Sequence, residues 1–232
     1  MEASNGQIVK VIFIGEASVG KTSIINRFLN KAFSYETAPT IGAGMTPIQL
    51  KIDDTNYLVH VWDTAGTPQY RSVVPMFCRD TDIAIIVYDV TNKSSFDKIN
   101  EWYEFVHKNS DPSFIIVGNK IDLVYGSEFS AKSPVMENVI EKDKNDNENE
   151  NIQSTGISVR EVDKNAAMQL AESLSASYFE TSCLTQEGIN ELKEGICQVI
   201  STIDISSLKY AKGRSGSQNI KMQTLQKKKC NC

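Results

Sequence analysis

The chain has 232 residues, 41% hydrophobic and 23% charged, with 24 basic against 29 acidic side chains and a net charge of −5. That length holds one α/β domain with a sizeable core and leaves residues for a tail or insertion, while the acidic balance excludes a general nucleic-acid binder, whose footprint is a basic face. Cys78, Cys183, Cys197, Cys230 and Cys232 are odd in number and lack zinc-type spacing, the opening residues MEASNGQ carry no secretory signal, and no apolar run reaches the roughly 18 residues that span a bilayer, so a chain kept in a reducing cytosol is expected.

Residues 1–7 form a short extension before Ile8–Ile14, an apolar run that reads as a buried strand. It ends at Gly15-Glu16-Ala17-Ser18-Val19-Gly20-Lys21-Thr22, which matches the pattern G-x-x-x-x-G-K-[ST] at every position. The glycines let backbone N–H groups turn inward around a β-phosphate, Lys21 neutralises phosphate charge, and the Thr22 hydroxyl can ligate Mg²⁺. Ser23–Asn30 then has helical apolar spacing, which aims a positive helix end at the anion. A glycine-rich turn before an ordinary helix is the plainer alternative, and the preceding strand argues against it.

Ile48–Ile52 and Leu58–Trp62 read as a hairpin around Asp53-Asp54-Thr55-Asn56. The second strand runs into Asp63-Thr64-Ala65-Gly66, where an Asp can hold Mg²⁺, usually through water, and a glycine N–H can meet a γ-phosphate. Ile83–Tyr88 and Phe114–Val117 are short, nearly all-apolar strands of the kind buried on both faces of a parallel sheet. Between them, Ser94–Lys108 places Phe96, Ile99, Trp102, Tyr103 and Val106 at helical spacing.

Asn119-Lys120-Ile121-Asp122 follows the second of these strands. Its Asp122 carboxylate can accept from both the ring N–H and the exocyclic amine of guanine, a pair adenine does not offer, and would be left unpaired against the wrong base. Val162–Ala176 and Glu187–Ile203 read as helices flanking a brief strand, Tyr178–Glu180. The expected fold is therefore a single α/β phosphate-loop NTPase domain over 8–203, with a mostly parallel six-stranded sheet and helices on both faces. Ligand sites in such sheets lie beyond the carboxyl ends of the strands. Gly15–Thr22, Asp63–Gly66, Asn119–Asp122 and Thr181–Cys183 all fall there.

Trp62-Asp63-Thr64-Ala65-Gly66, Tyr88-Asp89-Val90-Thr91, Asn119-Lys120-Ile121-Asp122 and Glu180-Thr181-Ser182-Cys183, in this order after the phosphate loop, resemble the hallmark segments of small GTPases of the Ras superfamily, and within it the Rab family. The resemblance covers residues 8–124 and 162–203. It implies Mg²⁺ and GTP or GDP as bound nucleotide, held by Gly15–Ser23, Phe33, Thr40, Asp63, Gly66, Asn119, Lys120, Asp122, Ser182 and Cys183. Thr40 resembles the threonine that joins Mg²⁺ to the γ-phosphate, so Thr22, Thr40 and Asp63 are the implied metal residues. Phe33 resembles the aromatic that packs against guanine. Lys21, Thr40, Gly66 and residue 67 are the implied catalytic positions.

Two departures stand out. Where the family has Ala-Lys at the end of its last base loop, this chain has Cys183-Leu184; the backbone N–H is kept and the lysine charge is lost, so guanine affinity is expected to drop modestly. Cys183 reads as a packed thiol rather than a reactive one. Where the family has Gln-Glu after the Asp-Thr-Ala-Gly segment, this chain has Thr67-Pro68. The family Gln orients the attacking water; a threonine hydroxyl is shorter, and Pro68 removes a donor and pushes Thr67 toward extended geometry. Slow intrinsic hydrolysis is expected. Gln69, displaced about 6.6 Å along an extended segment, is too far to substitute. A module that holds GTP with little or no turnover is the alternative reading, and a phosphotransferase on the same loop is a remote third.

The resemblance also implies a switch in which the γ-phosphate, through Thr40 and Gly66, orders residues 35–47 and 64–80 as an effector surface that includes Ile41, Trp62 and Tyr70. An exchange factor, an activating protein, a prenylation escort and a GDP-dissociation inhibitor come with it. The ending Lys227-Lys228-Lys229-Cys230-Asn231-Cys232 resembles a signal for two geranylgeranyl groups, which with the lysines would anchor the chain to the cytoplasmic face of endomembranes, cycling with the cytosol. Residues 204–229 read as a disordered tether within a prenylated tail over 204–232. The span 125–160, with the acidic, Asn-rich block EKDKNDNENE that supplies −3 of the net charge, reads as a solvated insertion.

Overall fold

A computed structural model describes residues 7–35, 37–124 and 158–203. Among them six strands form one sheet in the order β2-β3-β1-β4-β5-β6. They are β1 (Gln7–Ile14), β2 (Ala43–Ile52), β3 (Thr55–Thr64), β4 (Ile83–Asp89), β5 (Ser113–Asn119) and β6 (Ser177–Thr181). Only β2 runs antiparallel, against β3; the pairs β1–β3, β1–β4, β4–β5 and β5–β6 are parallel. The helices are α1 (Lys21–Phe28), α2 (Val74–Cys78), α3 (Lys93–Asp97), α4 (Ile99–His107), α5 (Lys164–Ser173) and α6 (Ile189–Thr202).

The two-residue period of the strands divides the core. Val11, Phe13, Ile85, Val87, Ile115 and Val117 face α1 and α6, where Ile24, Ile189, Leu192 and Ile196 pack. Ile12, Ile14, Ala84, Ile86, Tyr88 and Ile116 face Val74, Cys78, Ile99, Trp102, Val106, Ala167 and Ala171 of α2, α4 and α5. Helices therefore cover both faces. Every residue of β4 is buried, and each buried isoleucine there contributes roughly 1.5–3 kcal/mol.

Several boundaries move from the sequence expectation for identifiable reasons. The strand expected at Ile48 begins at Ala43, with Pro47 opposite His60. Pro47 is tolerated because β2 is an edge strand, where one N–H row needs no partner. The helix expected over 94–108 is broken at Lys98 into α3 and α4, with Asn92 capping the first through its side chain to Ser95 N–H at 3.2 Å. Asp163 caps α5 through Ala166 N–H at 2.9 Å. Residues 64–80, given no element from sequence, hold a 3-10 turn at Pro68–Tyr70 and the short α2.

The stretch read as an insertion, 125–160, overlaps the described residues only at Ser158–Arg160. Ser158 N–H donates to Leu123 O at 3.0 Å and Glu161 N–H to Val90 O at 3.0 Å, which ties Ser158–Glu161 to the segments that follow β5 and β4. The expected tail, 204–232, with Cys230 and Cys232, lies outside the described residues. No helix among the described residues is long and apolar enough to cross a membrane.

Candidate nucleotide site

The loop between β1 and α1 is pressed against the rest of the rim so closely at its two glycines that neither position has room for a side chain. Gly15 has φ +141°, and a Cβ there would fall 2.2 Å from Val87 O; Gly20 has φ +98°, and a Cβ there would fall 2.1 Å from Asn119 Nδ2. Lys21 opens α1 and folds back over the loop, its Nζ donating to Gly15 O at 2.9 Å and Glu16 O at 2.6 Å. Burial pulls its ammonium down to about 8, against the carboxylates of Asp63 and Glu16. The first turn of α1 holds no acidic residue, so nothing on the helix itself neutralises its positive end.

Thr22 at the start of α1, Thr40 before β2 and Asp63 at the end of β3 meet at one point. Thr22 Oγ1 donates to Asp63 Oδ2 at 2.7 Å, Thr40 Oγ1 donates to the same oxygen at 3.1 Å, and the two hydroxyls are 3.1 Å apart. Asp63 Oδ1 is buried with no hydrogen-bond partner. Burial raises the Asp63 carboxyl above the ordinary range, opposed by the Thr22 and Thr40 hydroxyls and by Lys21. A single carboxylate with two hydroxyls is a hard-oxygen donor set that suits Mg²⁺, which takes few protein ligands and completes its shell with water and phosphate. The bare Oδ1 supplies the position a cation would satisfy, so these residues fit the metal.

Asn119, at the end of β5, joins the loop after β1 to the end of β6 and the loop that follows it. Its Nδ2 donates to Val19 O at 2.8 Å, and its Oδ1 accepts from Thr181 Oγ1 at 3.0 Å and from Cys183 Sγ at 3.6 Å. Asp122 Oδ1 accepts from Ser182 Oγ at 2.6 Å, which holds the carboxylate at the rim. Lys120 Nζ pairs with Asp89 Oδ2 at 2.7 Å. Burial pushes the Cys183 thiol up to about 12, as befits a packed cysteine and not a nucleophile. Phe33 lies half-buried, edge-on to Tyr35 at 4.9 Å and under the Arg27 guanidinium at 5.9 Å.

Gly66 brings the loop after β3 onto the phosphate loop, where a Cβ would fall 2.4 Å from Glu16 O. Thr67 is extended, φ −79° and ψ 143°, as the following proline predicts, and its Oγ1 is buried without a hydrogen-bond partner. The extended spacing assumed for Gln69 does not hold. Pro68–Tyr70 is a 3-10 turn, with a rise of about 2 Å per residue, because Tyr70 N–H closes onto Thr67 O at 3.1 Å; Gln69 nonetheless points into solvent, exposed.

Sequence reasoning missed three arginines. Arg71 reaches Glu16 Oε1 at 2.9 Å, pairs with Glu101 and lies 4.8 Å over the Trp102 ring, whose Nε1 also donates to Glu16 at 3.0 Å. Arg160 grips both oxygens of Glu180 at 2.8 and 3.2 Å. Arg27 holds backbone carbonyls of the last base loop. No motif marks them, since their partners lie elsewhere in the chain. On the adjoining surface Ile41 is 79% exposed, Met45 and Met76 are exposed, and Trp62 packs against Phe77 at 5.5 Å.

Comparison with known proteins bears on this geometry. The Ras family profile matches residues 10–202. The chain is 38% identical to the Ras-related protein Rab7 of Pisum sativum over 133 residues, 55% of this chain and 65% of that protein. It is 39% identical to the Ras-related protein Rab7 of Glycine max over 126 residues, 52% of this chain and 61% of that protein. Against the GTP-binding protein yptV5 of Volvox carteri it is 28% identical over 234 aligned positions, 93% of this chain and 99% of that protein. The match thus spans a little under two thirds of the two Rab7 relatives and nearly all of yptV5.

Proposed function

Because the chain belongs to the Ras family of small GTPases, we propose that it is a Rab-like switch that binds GTP or GDP with Mg²⁺, hydrolyses GTP slowly by itself, and works in vesicle traffic at the cytoplasmic face of an endomembrane. The observation that carries the proposal is the convergence of Thr22 and Thr40 on one oxygen of Asp63, with the other oxygen bare. That arrangement ties a phosphate loop, a segment before β2 and the end of β3 to one cation position.

In this reading Lys21 exchanges its two carbonyl partners for phosphate oxygens, and its ammonium offsets the charge of the β- and γ-phosphates. Mg²⁺, held by Thr22, Thr40 and Asp63, supplies further neutralisation of the phosphates when bound. Gly66 N–H points its hydrogen bond at the γ-phosphate, and Asp122 and the Cys183 backbone select guanine. Residue 67 is where water must be aligned for attack. Thr67 has a hydroxyl free of protein partners but short reach, and Pro68 has no N–H to add.

Single-turnover hydrolysis tests the slow step. Thr67→Gln is expected to raise the rate about tenfold or more, and a fast wild-type rate that the substitution leaves unchanged overturns it. Thr67-Pro68 also favours the second reading, a GTP-holding module without turnover; it is distinguished by an absence of phosphate release even when an activating protein is added.

The domain itself is assigned to 8–203, with 1–7 as an extension, 125–160 as a surface insertion and 204–232 as a tether lipidated at Cys230 and Cys232. Effectors engage residues 35–47 and 64–80, which include the exposed Ile41 and the Phe77 that packs on Trp62. Exchange factor, activating protein, prenylation escort and GDP-dissociation inhibitor complete the cycle.

A further inference from the structure

Arg27, on the last turn of α1, makes four contacts with two separate segments. Its Nε donates to Cys183 O at 2.6 Å and its Nη2 to Leu184 O at 3.2 Å, both in the loop after β6. Its Nη1 donates to Lys31 O at 3.1 Å, in the turn that leaves α1. Its guanidinium lies 5.9 Å over the ring of Phe33, two residues further on. One rigid, planar fork thus spans the gap between the aromatic expected against the purine and the backbone expected at its edge.

The position is also chemically fitting. Leu184 carries no charge of its own, so Arg27 brings a cation to the loop from the helix. A guanidinium at the carboxyl end of α1 is stabilised by the helix dipole, and its carbonyl contacts are charge-assisted, which makes them stronger than neutral hydrogen bonds. Cys183 is held from both sides, its carbonyl by Arg27 and its thiol by Asn119 Oδ1 at 3.6 Å. With the Cys183 carbonyl fixed, the peptide plane it shares with the Leu184 N–H loses freedom to tilt, and the Cys183 Cα at its edge, which also carries the Cys183 N–H on its other side, is held in place.

We propose that Arg27 is a positioning residue for guanine: it sets the place of the Cys183 backbone, and through it the donor available to the O6 oxygen, while fixing the Phe33 ring that closes the slot. Asp122 reads the other two polar groups of the base and is held by the Ser182 side chain at 2.6 Å, not through the carbonyls that Arg27 grips. Arg27 therefore governs discrimination at O6 and leaves discrimination at the 2-amino group to Asp122. The inference rests on the guanine site proposed above and adds a residue that no motif contains.

The test uses full-length protein loaded with magnesium and each of three probes: GDP, inosine diphosphate, which lacks the 2-amino group, and 6-thioguanosine diphosphate, which has sulfur, a weak acceptor, in place of O6 and keeps the N1 hydrogen and the 2-amino group. Arg27→Ala is expected to speed GDP release about tenfold and to shrink the preference for GDP over the 6-thio analogue, while the preference over inosine diphosphate holds. Arg27→Lys, which keeps the charge and loses the fork, is expected to fall between the two and carries the same comparison if Arg27→Ala does not fold. Equal acceleration for all three nucleotides, or no acceleration, overturns the inference while wild-type GDP binding leaves the site standing. A wild-type protein that retains none of the three removes the site and this inference with it.

Discussion

Thr22 and Thr40 stand 18 residues apart in sequence and 3.1 Å apart at their hydroxyls, sharing one oxygen of Asp63. The contact places the segment before β2 on the phosphate loop through side chains alone, so it can be released without disturbing the sheet.

Thr40→Ala removes one of the two hydroxyl contacts on Asp63. In the proposed site it also removes one of the three groups that would hold Mg²⁺ beside the γ-phosphate; with that contact worth about as much as a hydrogen bond to a charged group, about 1.5–3 kcal/mol, magnesium should bind the GTP-loaded variant about 10- to 100-fold more weakly. The GDP-loaded variant should change little, because the γ-phosphate that Thr40 reaches is missing there. Release of a fluorescent nucleotide as a function of magnesium concentration measures both.

Glu16→Ala should destabilise the fold by about 1–3 kcal/mol, since it leaves the Trp102 indole N–H and the Arg71 guanidinium without their shared acceptor. Glu16→Gln should lose less, because an amide oxygen still accepts. Equilibrium denaturation of GDP-loaded protein, followed by tryptophan fluorescence, ranks the two.

Burial pushes the Cys78 thiol up from 9.0 to about 12. The folded state then binds more protons than the unfolded state between those values, so this stabilising contribution is complete below pH 9 and is lost as pH rises from 9 toward 12, at up to about 1.4 kcal/mol per pH unit. Lys21 acts in the opposite sense from about pH 8 upward, because its folded value is lowered. Comparing wild type with Cys78→Ala between pH 8.5 and 10.5 isolates the thiol: the variant should show the weaker alkaline loss of stability. An identical pH slope in both proteins would contradict the burial argument.

Much of the sheet could be read from residue pattern. Ile83–Tyr88 and Phe114–Val117 are apolar without alternation, which only a strand covered on both sides requires, and both lie where expected in β4 and β5. The phosphate loop was legible because its chemistry is local: the glycines, Lys21 and Thr22 act within eight residues. The first half of β2 was not legible, since Gly44 and Pro47 read as breakers until the strand is known to be an edge. Arg27, Arg71 and Arg160 were illegible for a different reason. Their partners lie 156, 55 and 20 residues away, and a single chain carries no periodicity that announces such pairs. Pro68 predicted the extended Thr67 correctly, because that effect is between neighbours, but the turn that follows depends on Tyr70 closing back onto Thr67.

Titration calorimetry of nucleotide-free, still-folded protein with GDP plus magnesium, and with ATP plus magnesium as the rival, tests the central claim most directly. Four loops at the carboxyl rim of the sheet, joined through Asp63 and Asn119, should give tight binding of GDP that weakens when magnesium is chelated, and no competing heat from ATP. Absence of heat with GDP, or a preference for ATP, would contradict the account.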